Sequence, residues 1–181
     1  NISGREIVAL HGPNGSGKSS LLLALAGFLP IASGQVLTTE SVKMVPQNAS
    51  DLLYLPTVAQ ELKESDRLSQ AEPNRTSNIF ESLIGRIDPA VHPRDLSAGQ
   101  QLALVISIQL AQGSKIVFLD EPTRGLDNES KQALELQLRK LSSQGTSILI
   151  ATHDFNFAKR LAHRTLEMLN GKLSPSRGVT K

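Results

Sequence analysis

The sequence predicts an α/β fold with a mainly parallel sheet flanked by helices, and three observations lead to it. Short apolar runs alternate with helical patterns along the chain, the order that gives parallel strands joined by crossover helices. The first run, Ile7–His11, passes through the Gly-rich stretch GPNGSGKS (12–19) straight into a helical pattern. Two later runs, Ile116–Leu119 and Ile148–Ala151, are continuously apolar, as strands covered on both faces are.

The elements follow in order. After the Gly-rich turn, SSLLLALAGFL (19–29) reads as a helix ending at Gly27. Gln35–Leu37 and Val42–Val45 read as short strands around a polar turn. Leu52–Leu62 is apolar but interrupted by Pro56, and Glu64–Arg75 is polar and helix-competent up to a break at Pro73. Asn78–Ile84 reads as a short helix with Ser77 available as its cap. Ala98–Ala111 is a helix. Leu134, Leu138 and Leu141 recur at i, i+4 and i+7, which gives the next helix one apolar stripe. Thr165–Leu169 enters a hairpin turn at Asn170-Gly171, and the tail after Leu173 is expected to be mobile.

At 181 residues the chain has the length of one domain with a substantial core. A net charge of +2 demands no nucleic-acid footprint, and 3% aromatic residues with no Trp argue against a base-stacking platform. With no Cys, a disulfide framework and a thiolate metal site are excluded. No stretch approaches the roughly 20 apolar residues of a spanning helix. The chain starts at Asn1 without an initiator Met or a signal-like segment, and is expected to be a piece of a longer polypeptide.

GPNGSGKS fits G-x-x-x-x-G-K-[ST] and stands between a strand and a helix, the context that makes the pattern a phosphate loop. Its glycines let successive N–H groups point inward, and the helix adds the positive end of its dipole. Gly12, Pro13, Asn14, Gly15, Ser16, Gly17, Lys18, Ser19 and Ser20 are therefore the candidate phosphate-binding residues. Lys18 reaches for the outer phosphates and Ser19 offers a hydroxyl to Mg²⁺. KIVFLDE (115–121) ends an apolar strand in two carboxylates. Beside a phosphate loop, Asp120 suits the Mg²⁺ shell and Glu121 is free to orient the attacking water. His11, His92 and His163 carry no functional reading, and Lys159, Arg160 and Arg164 read as a solvated helix face.

With these residues in place the sequence resembles the ATP-binding cassette (ABC) ATPases, the P-loop NTPase domains that drive ABC transporters. The likeness runs from Ile2 to about Gly171 on five ordered motifs: GPNGSGKS, VPQN with Gln47, LSAGQ (96–100), IVFLDEPTRGLD (116–127) and ATHD with His153. It implies that Gln47 completes the Mg²⁺ shell and senses the γ-phosphate, that Glu121 is the catalytic glutamate, and that His153 is the switch histidine. It also implies that Ser97, Ala98, Gly99 and Gln100 address an ATP held by a second cassette, and that Asp127 crosses the dimer interface. Each has a plainer reading by itself: a surface amide for Gln47, a packed or capping residue for His153, a helix start for Asp127.

The resemblance further implies a domain at 1–173, with a RecA-like core at 1–47 and 113–173 and a helical subdomain at about 48–112, before a tail at 174–181. The cofactors implied are ATP and Mg²⁺, and the partners a second cassette and an integral membrane subunit, with no nucleic acid. The domain would lie peripherally on the cytoplasmic side of the membrane. The cluster Leu52, Leu53, Tyr54 and Leu55 is a candidate for docking the membrane subunit, or else packs within the subdomain.

Two departures stand out. The antiparallel strands and adenine-stacking aromatic that the family carries upstream are not in this sequence, and Ala98 replaces the usual signature Gly. PTRGLD (122–127) and the 48 residues from 48 to 95 look most like the energy-coupling-factor type of importer ATPase, including chains with two cassettes, of which this would be the second. A soluble ABC ATPase of translation or DNA maintenance is the alternative, although that interval leaves no room for a coiled-coil arm. A non-hydrolysing regulatory cassette is a third, and Lys18, Asp120, Glu121 and His153 all argue against inactivity.

Overall fold

The computed structural model describes residues 2–38 and 40–175. Its elements are β1 (Ile7–His11), α1 (Lys18–Leu25), β2 (Val42–Val45), α2 (Val58–Ser69), α3 (Arg75–Ile84), α4 (Ala98–Ala111), β3 (Ile116–Asp120), α5 (Asn128–Ser143), β4 (Ser147–Thr152), α6 (Phe155–Leu161), β5 (Arg164–Leu169) and β6 (Lys172–Pro175). They form one sheet in the order β2-β3-β4-β1-β5-β6. The first five strands are parallel, and β6 returns antiparallel on β5 through the Asn170-Gly171 turn, where both residues have positive φ. This order sets the C-terminal ends of β2, β3, β4 and β1 side by side.

Strand alternation divides the core. Ile7, Val117, Leu119, Ile148 and Ile150 face one side and pack under α4, α5 and α6, with Leu134, Leu138 and Leu141 as the stripe from α5. Val8, Leu10, Phe118 and Leu149 face the other side and pack on Leu22 of α1 and on Met168. Each large side chain so buried contributes about 1.5–3 kcal/mol of transfer free energy. A third, smaller core lies away from the sheet, where Val58, Leu62 and Phe80 meet Leu96, Ala103 and Leu104. Helix α4 belongs to two cores, since Leu102, Val105, Ile106 and Leu110 join the first. That double duty explains why its sequence is apolar all round.

Five expectations are corrected. Gln35–Leu37 makes no strand, and Val36 and Leu37 lie exposed. The end of the apolar run, 58–62, and the start of the polar run share one helix, α2, whose cap Thr57 accepts from Gln60 N–H at 3.2 Å. Helix α3 starts three residues earlier than the Ser77 cap implied. The sequence reading missed a long-range lock there: Asp66 on α2 accepts from the Thr76 N–H at 2.9 Å and its hydroxyl at 2.5 Å. The basic run also divides, for Arg160 on α6 pairs with Glu135 at 3.2 Å and Arg164 on β5 pairs with Glu6 at 3.1 Å. Strand β6 takes in Ser174 and Pro175 from the stretch read as tail, and 176–181 lie outside the described residues.

Candidate functional site

The phosphate loop leaves β1 and enters α1 at Gly17, whose φ of 103° needs glycine. No side chain caps α1 and no acidic residue stands in its first turn, so its leading N–H groups face outward for an anion. The loop is held from behind. Gly171 N–H donates to Ser16 O at 3.1 Å, and a Cβ on Gly12 would lie 2.3 Å from the Met168 carbonyl oxygen. The hairpin after β5 therefore shapes the loop, a constraint that the motif alone did not reveal.

Lys18 is buried and donates to the Gly12 and Pro13 carbonyls at 2.9 and 3.1 Å. Its ammonium also lies 3.5 Å from Glu121 Oε1. Glu121 follows β3 at φ 48°, a left-handed conformation that costs a non-glycine residue about 1–3 kcal/mol, and its N–H donates to Ala151 O at 2.8 Å on β4. This twist turns the carboxylate across β4. There Oε2 accepts from the His153 N–H at 3.2 Å and lies 2.7 Å from Nδ1 of its ring. Glu121 thus bridges the phosphate-loop lysine and His153. A cavity of about 300 Å³ opens beside them, lined by Asn14, Gly15, Gly17, Lys18, Ser19, Ser20, Gln47 and Glu121.

Burial pushes the Asp120 carboxyl above its usual range, against the bond from Ser19, with the Glu121 charge adding to the rise and Lys18 opposing it. Its Oδ1 is buried and has no hydrogen-bond partner among the described residues. Among the described residues no cluster of three or more His, Cys, Asp or Glu side chains stands ready to hold a metal. An oxygen-seeking cation that also leans on phosphate fits Ser19 and Asp120.

Gln47, two residues past β2, lines the same cavity but is engaged elsewhere. With its amide oriented to satisfy its neighbours, its oxygen accepts from Arg124, including Nε at 3.1 Å. Arg124 was not singled out in the sequence, and no pattern there pairs it with Gln47.

The loop DLSAGQ opens α4 through a reciprocal capping box. Ser97 Oγ accepts from the Gln100 N–H at 3.3 Å, and Gln100 Oε1 accepts from the Ser97 N–H at 2.9 Å. Ala98 is the first helical residue and does not have positive φ, so the methyl group there is tolerated. A Cβ on Gly99 would meet nothing within 4 Å. Asp127 caps α5, its carboxylate accepting from the Ser130 N–H at 2.7 Å, which lowers its pKa and matches the plainer reading of that residue.

The ABC transporter family model matches residues 1–124. The chain belongs to the ABC transporter family. A putative ABC transporter ATP-binding protein of Streptomyces coelicolor is 40% identical over 95% of this chain. An energy-coupling factor transporter ATP-binding protein, EcfA, of Methanothermobacter thermautotrophicus is 33% identical over 93% of the chain and 60% of its own length. The structure of cbiO1 from Clostridium perfringens, part of the ABC transporter complex cbiONQ, superposes with a TM-score of 0.85 at 26% identity over 96% of this chain and 77% of that one. This ABC chain spans about a third of the length of the Streptomyces relatives, 33% and 32%.

Two further residues in the ABC chain were missed in sequence. Glu61 is buried, and its Oε1 accepts from the Tyr54 and Leu55 N–H groups at 2.6 and 2.7 Å, anchoring the loop of the apolar cluster. Within that cluster Leu52 and Leu53 pack against the core while Tyr54 is 73% exposed. Asp154 caps α6 beside His153, a role readable from its place before Phe155.

Proposed function

We propose that this domain binds and hydrolyses ATP as the motor of an ABC transporter, with import of the energy-coupling-factor type as the direction. The observation that carries hydrolysis is the line Lys18–Glu121–His153, whose first two members line the phosphate cavity. Glu121 is placed to take the proton of an attacking water, and His153 holds that carboxylate while offering its other ring nitrogen to a γ-phosphate. Lys18 and the open N–H groups of α1 hold the triphosphate tail. Ser19 and Asp120 would hold Mg²⁺ with Gln47, and the ion would neutralise charge building between the β- and γ-phosphates. Gln47 must leave Arg124 to do so.

The capped N-terminus of α4 with Ser97, Ala98, Gly99 and Gln100 is the second half of a composite site, serving ATP bound by a partner cassette, with Asp127 near the seam. The third core, at 58–104, is the helical subdomain, and the exposed Tyr54 on its Glu61-anchored loop is the contact for a membrane subunit. Among the described residues no helix is long and apolar enough to cross a membrane, which suits attachment through such a subunit at the cytoplasmic face.

Glu121→Gln is expected to retain ATP binding and lose turnover by at least about a hundredfold, whereas Lys18→Ala weakens binding itself. Unchanged turnover in Glu121→Gln would overturn the reading. Purification of the complete protein from membranes should bring an integral membrane subunit with it; recovery of ribosomes or DNA in its place would favour the soluble alternative.

A further inference from the structure

The His153 ring is half exposed, and among the described residues the side chain it bonds to is Glu121. What fixes the ring is therefore the turn that carries it. Thr152 Oγ1 accepts from the Asp154 N–H at 3.0 Å, and Phe155 N–H returns to the His153 carbonyl at 3.1 Å. The Asp154 carboxylate uses both oxygens. Oδ1 caps the Phe157 N–H at 2.9 Å, tying the turn to a fully buried side chain, and Oδ2 meets the Lys131 ammonium at 2.7 Å. That ion pair is mostly buried, with side-chain exposures of 23% for Lys131 and 20% for Asp154.

Lys131 comes from a different element, and its place there matters. Its N–H donates to the carbonyl of Asp127 at 3.0 Å, one helical turn after that cap of α5. A single stiff turn therefore separates the loop after Glu121 from the group that clamps the turn of His153. The path closes on itself: β3 leads to Glu121, the loop runs on to Asp127 and Lys131, Lys131 reaches Asp154, and His153 returns to Glu121.

We infer that Lys131 is a positioning residue for His153, holding the histidine against Glu121 through Asp154 and linking it to the segment capped by Asp127. The inference rests on the reading of Glu121 and His153 as the hydrolytic pair. Without the ammonium, Asp154 still caps α6 but loses its tether to α5, so the turn drifts while the phosphate loop is untouched. The effect falls on the chemical step and spares ATP binding.

The test is a double-mutant cycle in the complete protein, with ATP turnover and a fluorescent ATP analogue as readouts. Lys131→Met is expected to lower kcat about tenfold and to change nucleotide affinity less than about twofold. Lys131→Arg, which keeps the charge and the reach, restores most of the rate. In a His153→Ala background, Lys131→Met should cost nothing further, because the residue it positions is gone. An equal rate loss in both backgrounds, or a loss of affinity matching the loss of rate, would overturn the inference. Failure of the hydrolytic reading has a different signature: His153→Ala and Glu121→Gln would both leave turnover intact.

Discussion

Replacing Gly99 by Ala separates what the fold requires of the DLSAGQ loop from what its ligand requires. Gly99 is the second residue of α4, lies outside the left-handed region, and has nothing within 4 Å of where a Cβ would stand. By itself the domain should then prefer alanine. A Gly-to-Ala exchange in a helix interior is worth up to about 1 kcal/mol and less in the first turn, so about 0.5 kcal/mol is expected here. For a domain of this size that raises Tm by about 1–2 °C. Function should move the other way. A phosphate oxygen accepting from the Gly99 N–H comes to about 3 Å, and a methyl group on that residue would stand on the surface that has to close over the partner's phosphate. Turnover by the assembled protein should fall at least about tenfold while ATP binding at Gly12–Ser19 holds. Thermal unfolding and steady-state hydrolysis on the same preparation decide it. A higher Tm with undiminished turnover would refute the composite site, and a lower Tm would refute the claim that the fold has no use for glycine there.

Gly12→Ala should behave oppositely, because its Cβ meets the Met168 carbonyl at 2.3 Å and Ser16 Oγ at 3.0 Å. Backbone cannot yield cheaply, so denaturant unfolding should show a loss of about 2 kcal/mol or more, together with weakened nucleotide binding. Tyr54→Asp and Leu55→Asp should leave the domain folded and abolish assembly with a membrane subunit, scored by co-purification, since Glu61 grips only the backbone N–H groups of both residues. Burial alone would raise the pKa of Asp154, but bonds from Lys131 and the Phe157 N–H, with the charges of Lys131 and Arg160, hold it below the usual range. Its stabilisation is therefore present above the unfolded-state carboxylate pKa of about 4 and is lost as pH falls through the lower folded value. Lys131→Met should shrink that acid-side loss in denaturation curves taken from pH 6 down to 3.

The parallel sheet and the phosphate loop were legible because both are local: a period, a run, or a spacing of eight residues carries each. Helix α4 was legible to the residue, from Ala98 to Ala111, since Ser97 and Gln100 write its start into the sequence. The strand read at Gln35–Leu37 failed for a reason no local pattern contains, namely that a strand exists only with a partner to pair with. Ser77 was a sound cap by type, but Asp66 from another helix fixed where α3 begins. The residues missed in the site share this origin. Arg124, Met168 and Lys131 act across distances in sequence that composition and periodicity do not span. Glu61 reaches back only to Tyr54 and Leu55, but does so through backbone N–H groups that no residue pattern marks, whereas the carboxylates and the histidine stand at strand ends and could be read from those ends.

Most of the chemical groups at this site are already bonded to one another. Lys18 is held by two carbonyls and Glu121, Glu121 by His153, Gln47 by Arg124, and Ser97 by Gln100. A triphosphate reaching Lys18 or a metal reaching Gln47 must exchange these bonds rather than add to them, and exchange contributes little net free energy. Two buried atoms are different: among the described residues, Asp120 Oδ1 and Ser16 Oγ have no hydrogen-bond partner. Satisfying an orphaned buried carboxylate oxygen returns free energy that no existing bond has to give up. The sites of gain are therefore the proposed metal position beside Asp120 and Ser19 and the floor of the loop at Ser16. If the proposed roles hold, affinity for the nucleotide should accordingly depend more steeply on Mg²⁺ and on the phosphate tail than on Glu121, His153 or Gln47, whose existing partners make them costly to recruit for binding.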